Sequence, residues 1–292
     1  MSTIRFKQVD AFSSRPFLGN PVAVVLDAEG LESEQMQRIA AWTNLSETTF
    51  VTAPAGPGPG YGLRIFTPQH ELPFAGHPTI GSCHAVLEAA SITPHDGRLT
   101  QECGAGNLPL RVEGDGAQRL IFVEAPEAAR VGEYPHRAAE ITAALGQRIT
   151  DSEPPTAFRN GPAWLFVRLE GESDVATLSP DLAAVTSLSV EHELSGIAAF
   201  SFAGEGEFAI RIRCFAPAHG IAEDPVTGSA NAALVAYLAH HGLLARCGNR
   251  YMATQGRELG RDGRVHVRVL DEHGRAEIGG QAVTTVDGRI HT

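Results

Sequence analysis

The chain has 292 residues, of which 43% are hydrophobic and 20% charged, and its formal net charge is −11. This composition excludes a disordered chain and fits a globular protein of one large domain or two ordinary ones. An acidic balance without any basic run argues against nucleic acid, and no apolar stretch approaches the roughly 18 residues of a membrane-spanning helix.

Met1 to Asp10 lacks the apolar core of a secretory signal, so a cytoplasmic location is expected. Ile4 to Phe12 alternates apolar and polar residues and predicts a strand. Phe17 to Pro21 predicts a turn, and Val22 to Leu26 a buried strand. Ser33 to Thr43 has helical spacing, with Met36, Ile39, Ala40 and Trp42 as its apolar stripe and Ser33 as its cap. Thr48 to Thr52 is a β-branched strand. Pro54 to Gly62 is a loop rich in Pro and Gly before a strand at Leu63 to Thr67. A helix from Pro78 to about Ala90 precedes strands at Arg98 to Cys103, Asn107 to Glu113 and Gln118 to Glu124. A boundary is expected near Ala125-Pro126-Glu127. This gives an N-terminal half of residues 1–126, with the last strand at 282–292 a candidate to complete it, and a C-terminal half of residues 127–281.

The second half predicts helices at Ala138 to Leu145 and Pro180 to Leu188, and strands at Ala163 to Leu169, Gly196 to Phe202 and Glu207 to Phe215. A long helix, Val226 to His241, is followed by strands at Met252 to Gln255, Arg264 to Leu270, Ala276 to Gly279 and Ala282 to Val286. Ala230 to Ala239 is apolar on nearly every side, so protein must surround it. A curved sheet wrapped around one central helix in each half meets that demand. The four cysteines, Cys83, Cys103, Cys214 and Cys247, lie far apart and read as reduced thiols.

One motif occurs in both halves. His77-Pro78-Thr79-Ile80-Gly81-Ser82-Cys83-His84-Ala85 aligns with Asp224-Pro225-Val226-Thr227-Gly228-Ser229-Ala230-Asn231-Ala232, 147 positions later in a chain of 292. A repeat at half length implies two similar domains. Each copy is expected to set an ionisable residue just before a helix start, where a polar side chain caps and proline fills the first turn. Amides of such a turn, with the helix dipole, suit a carboxylate. The simplest use of the pair brings both helix ends into a cleft between the halves. Taken singly, each copy also reads as an ordinary cap.

Glu47, in Asn44-Leu45-Ser46-Glu47-Thr48-Thr49-Phe50, stands where a helix gives way to a strand. From spacing alone it reads as a solvated carboxylate. Buried in an apolar cleft it would instead carry protons near neutrality. His70, His77 and His84 are evenly spaced, but only His84 falls inside an expected helix, so no metal site is predicted. No GxSxG elbow makes Ser82 or Ser229 a nucleophile, and Ser229 is better placed to donate a hydrogen bond. The glycines near 56–62 and 256–260 make neither a phosphate loop nor a dinucleotide fingerprint. No cofactor is implied.

These segments together resemble the PhzF family, named for a phenazine-biosynthesis isomerase. The resemblance runs through Val9-Asp10-Ala11-Phe12, Gly19-Asn20-Pro21-Val22-Ala23-Val24, Leu45-Ser46-Glu47-Thr48, Phe74 to Thr79, Glu223 to Ala230 and Gln255-Gly256. It implies an α+β fold like that of diaminopimelate epimerase: two pseudo-symmetric domains, each a mixed sheet rolled round a helix, and an active site between them. It also implies a homodimer and a small anionic metabolite as substrate. By resemblance Glu47 shuttles a proton between substrate carbons, and His77 and Asp224 orient it. Asn20, Gly76, Gly228 and Ser229 contribute to substrate binding. Related racemases use a cysteine in each half where this chain has His77 and Asp224, so a two-thiol mechanism is disfavoured. The expected reaction is a proton shift within a carboxylate-bearing, amino-acid-like compound, such as a hydroxylated cyclohexadiene amino acid. Epimerisation or racemisation of an amino-acid-like acid, and ligand binding without catalysis, remain alternatives.

Overall fold

The computed structural model describes residues 3–54, 56 and 58–292; positions 55 and 57 of the expected Pro/Gly-rich loop lie outside the described residues. Two compact units divide the chain: Met1–Glu124 with Gly279–Thr292, and Ala125–Ile278.

The first unit holds β1 (Thr3–Ala11), β2 (Asn20–Val25), β3 (Thr48–Thr52), β4 (Gly60–Phe66), β5 (Glu71–Leu72), β6 (Arg98–Cys103), β7 (Gly106–Glu113), β8 (Leu120–Glu124) and the chain's last strand, β18 (Ala282–His291). β1 pairs antiparallel with both β18 and β2. β2 runs parallel to β3, with Ala23 opposite Thr48, and β4 runs parallel to β6. The pairs β3–β4, β4–β5, β6–β7 and β7–β8 are antiparallel. Parallel neighbours need a crossover, which α1 (Ser33–Thr43) and α2 (Gly76–Glu88) supply. α2 packs against β18, β1, β2 and β3, and also against β8 at the far end of the ladder. The sheet is therefore rolled around it. Every residue from His77 to Leu87 is buried, as an all-round apolar helix requires.

The second unit holds β9 (Ala129–Glu133), β10 (Thr156–Arg159), β11 (Ala163–Arg168), β12 (Gly196–Phe202), β13 (Ile210–Ala216), β14 (Ile221–Asp224), β15 (Arg250–Gln255), β16 (Gly263–Val269) and β17 (Ala276–Gly280), the last carrying the chain back to the first unit. β9–β10, β10–β11, β12–β13, β13–β14 and β15–β16 are antiparallel, while β11–β12 and β13–β15 are parallel. α6 (Gly228–His240) packs against β10, β11 and β16, strands from both ends of this ladder, so this sheet also closes round a helix. α3 (Ala138–Leu145), α4 (Glu172–Ala176) and α5 (Leu182–Glu191) join β10, β11 and β12 in a separate apolar core around Ile141, Val167, Val185 and Ile197.

Several expectations shift. The cap of α1 is Glu32, not Ser33: Glu32 and Gln35 form a reciprocal capping box. Met36 and Ala40 are buried, but Trp42 lies 79% exposed, off the stripe that Met36 and Ala40 define. α2 begins two residues before the expected start, so His77 and Pro78 lie within its first turn, where proline is tolerated. α6 begins two residues after its expected start, with Thr227 as its cap. Asp224 therefore opens no helix; it ends β14. β5, β9, β10, β14 and α4 were not anticipated, because segments of two to five residues carry too little periodicity.

Candidate active site

In the first unit, Asn44 ends α1 in a left-handed conformation (φ 53°), its N–H donating to the Ala40 carbonyl. The chain then turns through Ser46 into β3. Glu47 is the residue just before that strand, and its carbonyl accepts from Ala23 N–H at 3.3 Å. Side chains alternate along a strand, so Glu47 and Thr49 share one face. Thr49 Oγ1 lies 2.8 Å from Ser82 Oγ on α2, with both residues fully buried, so this face is turned toward the helix. Where that face meets the first turn of α2, Glu47 Oε2 comes within 3.2 Å of His77 Nε2. The angle is outside that of a hydrogen bond.

Glu47 is 15% exposed at its side chain and His77 only 9%. Burial pushes the Glu47 carboxyl up to about 6, against a smaller opposing effect of a hydrogen bond from Ser46. A carboxyl in this range is mostly ionised at pH 7 yet readily reprotonated, which suits a group that takes a proton and returns it. Cys83 lies deeper in α2, and burial lifts its thiol to about 12, so it offers no thiolate base near neutrality. Asn20 opens β2 opposite Ala11 and is buried. Gly76 opens α2, whose N-cap Ala75 has no capping side chain. At Gly81 an added Cβ would stand 2.3 Å from Val22 Cγ1, so the bare glycine lets α2 lie close against β2. His77, like His84, lies inside the helix, contrary to the expected histidine placement.

In the second unit, Asp224 Oδ2 accepts from Thr227 Oγ1 at 2.6 Å. The preceding Glu223 is gripped by Arg213, whose Nε and Nη2 each reach a different carboxylate oxygen at 2.8 Å. Arg213 also donates to the carbonyls of Val175 and Leu178, so a nearly buried ion pair anchors β14 to the last turn of α4 and the loop after it. Gly228 and Ser229 are the first two residues of α6. Ser229 Oγ accepts from the Trp164 indole N–H at 3.0 Å, and its carbonyl accepts from Asn160 Nδ2 at 3.0 Å. The Ser229 hydroxyl thus serves as an acceptor for Trp164.

Glu47 and His77 are thus brought together, with Asn20 and Gly76 in the same unit. Asp224, Gly228 and Ser229 form a second cluster in the other. Arg213, Trp164 and Asn160 escaped sequence reading, and Thr227 stood out only as a member of the repeated motif, since nothing in spacing marks a residue that holds another in place. Gln255-Gly256 stood out only as part of the resemblance.

The family model for phenazine biosynthesis-like proteins matches residues 9–288. A trans-2,3-dihydro-3-hydroxyanthranilate isomerase from Pseudomonas aeruginosa is 37% identical over 290 residues, covering 98% of this chain and 99% of that protein. A Schizosaccharomyces pombe protein called antisense-enhancing sequence 1 is 37% identical over 296 residues, covering 99% of each. Among solved structures, a PhzF-family phenazine biosynthesis protein from Bacillus anthracis superposes with a TM-score of 0.88 at 27% identity, covering 100% of both chains.

Proposed function

The chain belongs to the PhzF family of isomerases, and from that premise we propose that it moves a proton within a small carboxylate-bearing, amino-acid-like substrate, with Glu47 as the acid and base and without a cofactor. The observation that carries this reading is the buried contact between Glu47 and His77, with the Glu47 carboxyl raised to about 6. As carboxylate, Glu47 removes a proton from a carbon acidified by conjugation. As carboxylic acid, it delivers that proton to another carbon of the same system. His77 orients the carboxyl. The uncapped start of α2 at Gly76 offers amides for the substrate carboxylate or for the charge that builds on the conjugated system, and by resemblance the amide at Gly228 also binds substrate. Asp224 and Ser229 join this machinery on the strength of the motif repeat and the family resemblance, and Asn20 contributes to binding on the resemblance alone.

A hydroxylated cyclohexadiene amino acid is the first substrate to test, because the Pseudomonas aeruginosa relative is named for one. Of the two epimerase pairings, Glu47 with Asp224 and Glu47 with His77, the second fits poorly. Two groups 3.2 Å apart leave no room for a carbon between them. The decisive experiment incubates the protein in heavy water with trans-2,3-dihydro-3-hydroxyanthranilate and a panel of cyclic and acyclic amino acids, read by mass spectrometry and NMR. Isomerisation predicts deuterium at a carbon that gains a proton. Inversion with deuterium at the original carbon would point to epimerisation, and binding with no exchange in any compound would reject catalysis. Glu47→Gln is expected to stay folded and lose exchange. A homodimer, expected from the resemblance, is checked by light scattering.

A further inference from the structure

Gln255 ends β15 and is 1% exposed, and it spends its whole carboxamide on the turn that carries Asp224. Its Nε2 donates to the Asp224 carbonyl and to Thr227 Oγ1, both at 2.9 Å. Its Oε1 accepts from Thr227 N–H at 2.9 Å and from Asn231 Nδ2 at 3.2 Å. A threonine hydroxyl has one proton. Because Thr227 Oγ1 already accepts from the glutamine, that proton is directed to Asp224 Oδ2, 2.6 Å away. The amide thus sets the hydroxyl, and the hydroxyl sets the carboxylate. Gly256 keeps the glutamine in place. Its φ of +89° is left-handed, and a Cβ there would stand 2.5 Å from the Pro225 carbonyl oxygen, so the strand end presses directly on the turn.

The first unit contains the same device with a different end. Gln101 on β6, fully buried, donates from Nε2 to Thr79 Oγ1 at 3.0 Å, and Thr79 Oγ1 donates to the Ala75 carbonyl at 2.9 Å. In each unit the glutamine lies on the strand that follows the central helix, and the threonine lies at that helix's start. In the first unit the chain of hydrogen bonds ends on backbone and fastens the turn of His77. In the second it ends on an ionisable side chain. A relay built only to hold a turn has no need of the carboxylate.

We infer that Gln255 and Thr227 are positioning residues for Asp224, a two-step relay that aims its carboxylate for the reaction. This rests on the reading of Asp224 as part of the catalytic machinery. Thr227→Val keeps the side chain's shape and the backbone N–H bonded to Gln255 while removing the hydroxyl. With whichever panel compound the wild-type protein deuterates in heavy water, Thr227→Val is expected to lower kcat by about 10- to 100-fold with KM within about twofold. Thr227→Ser, which restores the hydroxyl, is expected to recover kcat to within about threefold. Gln255→Met should follow Thr227→Val in direction. In an Asp224→Asn background Thr227→Val should cost nothing further, since residues acting as one unit are not additive. Melting temperatures, measured alongside, separate loss of aim from loss of fold. Full kcat in Thr227→Val, or multiplied losses in the double variant, overturns the relay alone. Full activity in Asp224→Asn, or no exchange by the wild type with any compound, overturns the catalytic reading and the relay with it.

Discussion

Glu47 bears an energetic cost for being where it is. Its carboxyl rises from 4.5 to about 6, and burial is the cause. A raised carboxyl pKa means that the protonated form is favoured by folding. That contribution is complete below pH 4.5 and lost as pH climbs through about 6. At pH 8 the wild type therefore carries a penalty of about 2 kcal/mol for holding a charge out of water. Glu47→Gln removes the charge, so denaturant melts should show the variant more stable than wild type at pH 8 by up to about 2 kcal/mol, with the difference gone by pH 4. The same titration governs turnover. If the carboxylate is the base, kcat/KM should fall tenfold per pH unit below about 6 and level off above it, measured by initial rates across a constant-ionic-strength buffer series. Thiol chemistry makes the opposite forecast. With the Cys83 thiol at about 12 inside α2 and the half-buried Cys247 thiol at about 11, iodoacetamide at pH 7.5 should leave both unmodified, as read by peptide mass spectrometry.

Glu47 meets His77 because of how β3, β2 and α2 pack. Thr49 and Ser82 join strand to helix by one buried hydrogen bond, and Gly81 lets the helix settle onto Val22 of β2. Gly81→Ala should force α2 away from β2, with a loss of about 1–3 kcal/mol in thermal or urea unfolding and a larger proportional loss of turnover, because the displaced turn carries His77. Thr49→Val leaves Ser82 without its buried partner and should cost about 1–2 kcal/mol by the same measure. At this scale the chain was readable wherever a period ran long enough. α1, α3, β3 and β12 have the expected limits, and the apolar α2 and α6 are enclosed as their composition demands. Their starting points were not readable. Aligning the two motifs residue by residue suggested equivalent caps at His77 and Asp224, yet one lies inside a helix and the other ends a strand. Gln255 on β15 accepts from Thr227 N–H at 2.9 Å at the start of α6, a contact that has no counterpart in the sequence pattern around His77.

For the molecule as a whole, the chain's return to its first unit is the feature most exposed to test. β18 pairs with β1 from Thr3 to Ala11, and its Asp287 joins Glu88 in holding the buried ammonium of Lys7. Deleting residues 282–292 strips β1 of a neighbour and leaves Lys7 with half its partners. The truncated protein is expected to lose cooperative unfolding or to aggregate, as seen by circular dichroism and light scattering. By itself the sequence determined the class of fold, two apolar helices that sheets must enclose, and a short set of polar residues standing beside turns. Those follow from periodicity and composition, which are local properties. Only tertiary structure decided that Glu47 is buried rather than solvated, that His77 is its neighbour, and that Gln255 reaches Asp224 through Thr227. Each depends on contacts between residues about 30 positions apart, and desolvation and hydrogen-bond geometry exist only once those contacts form.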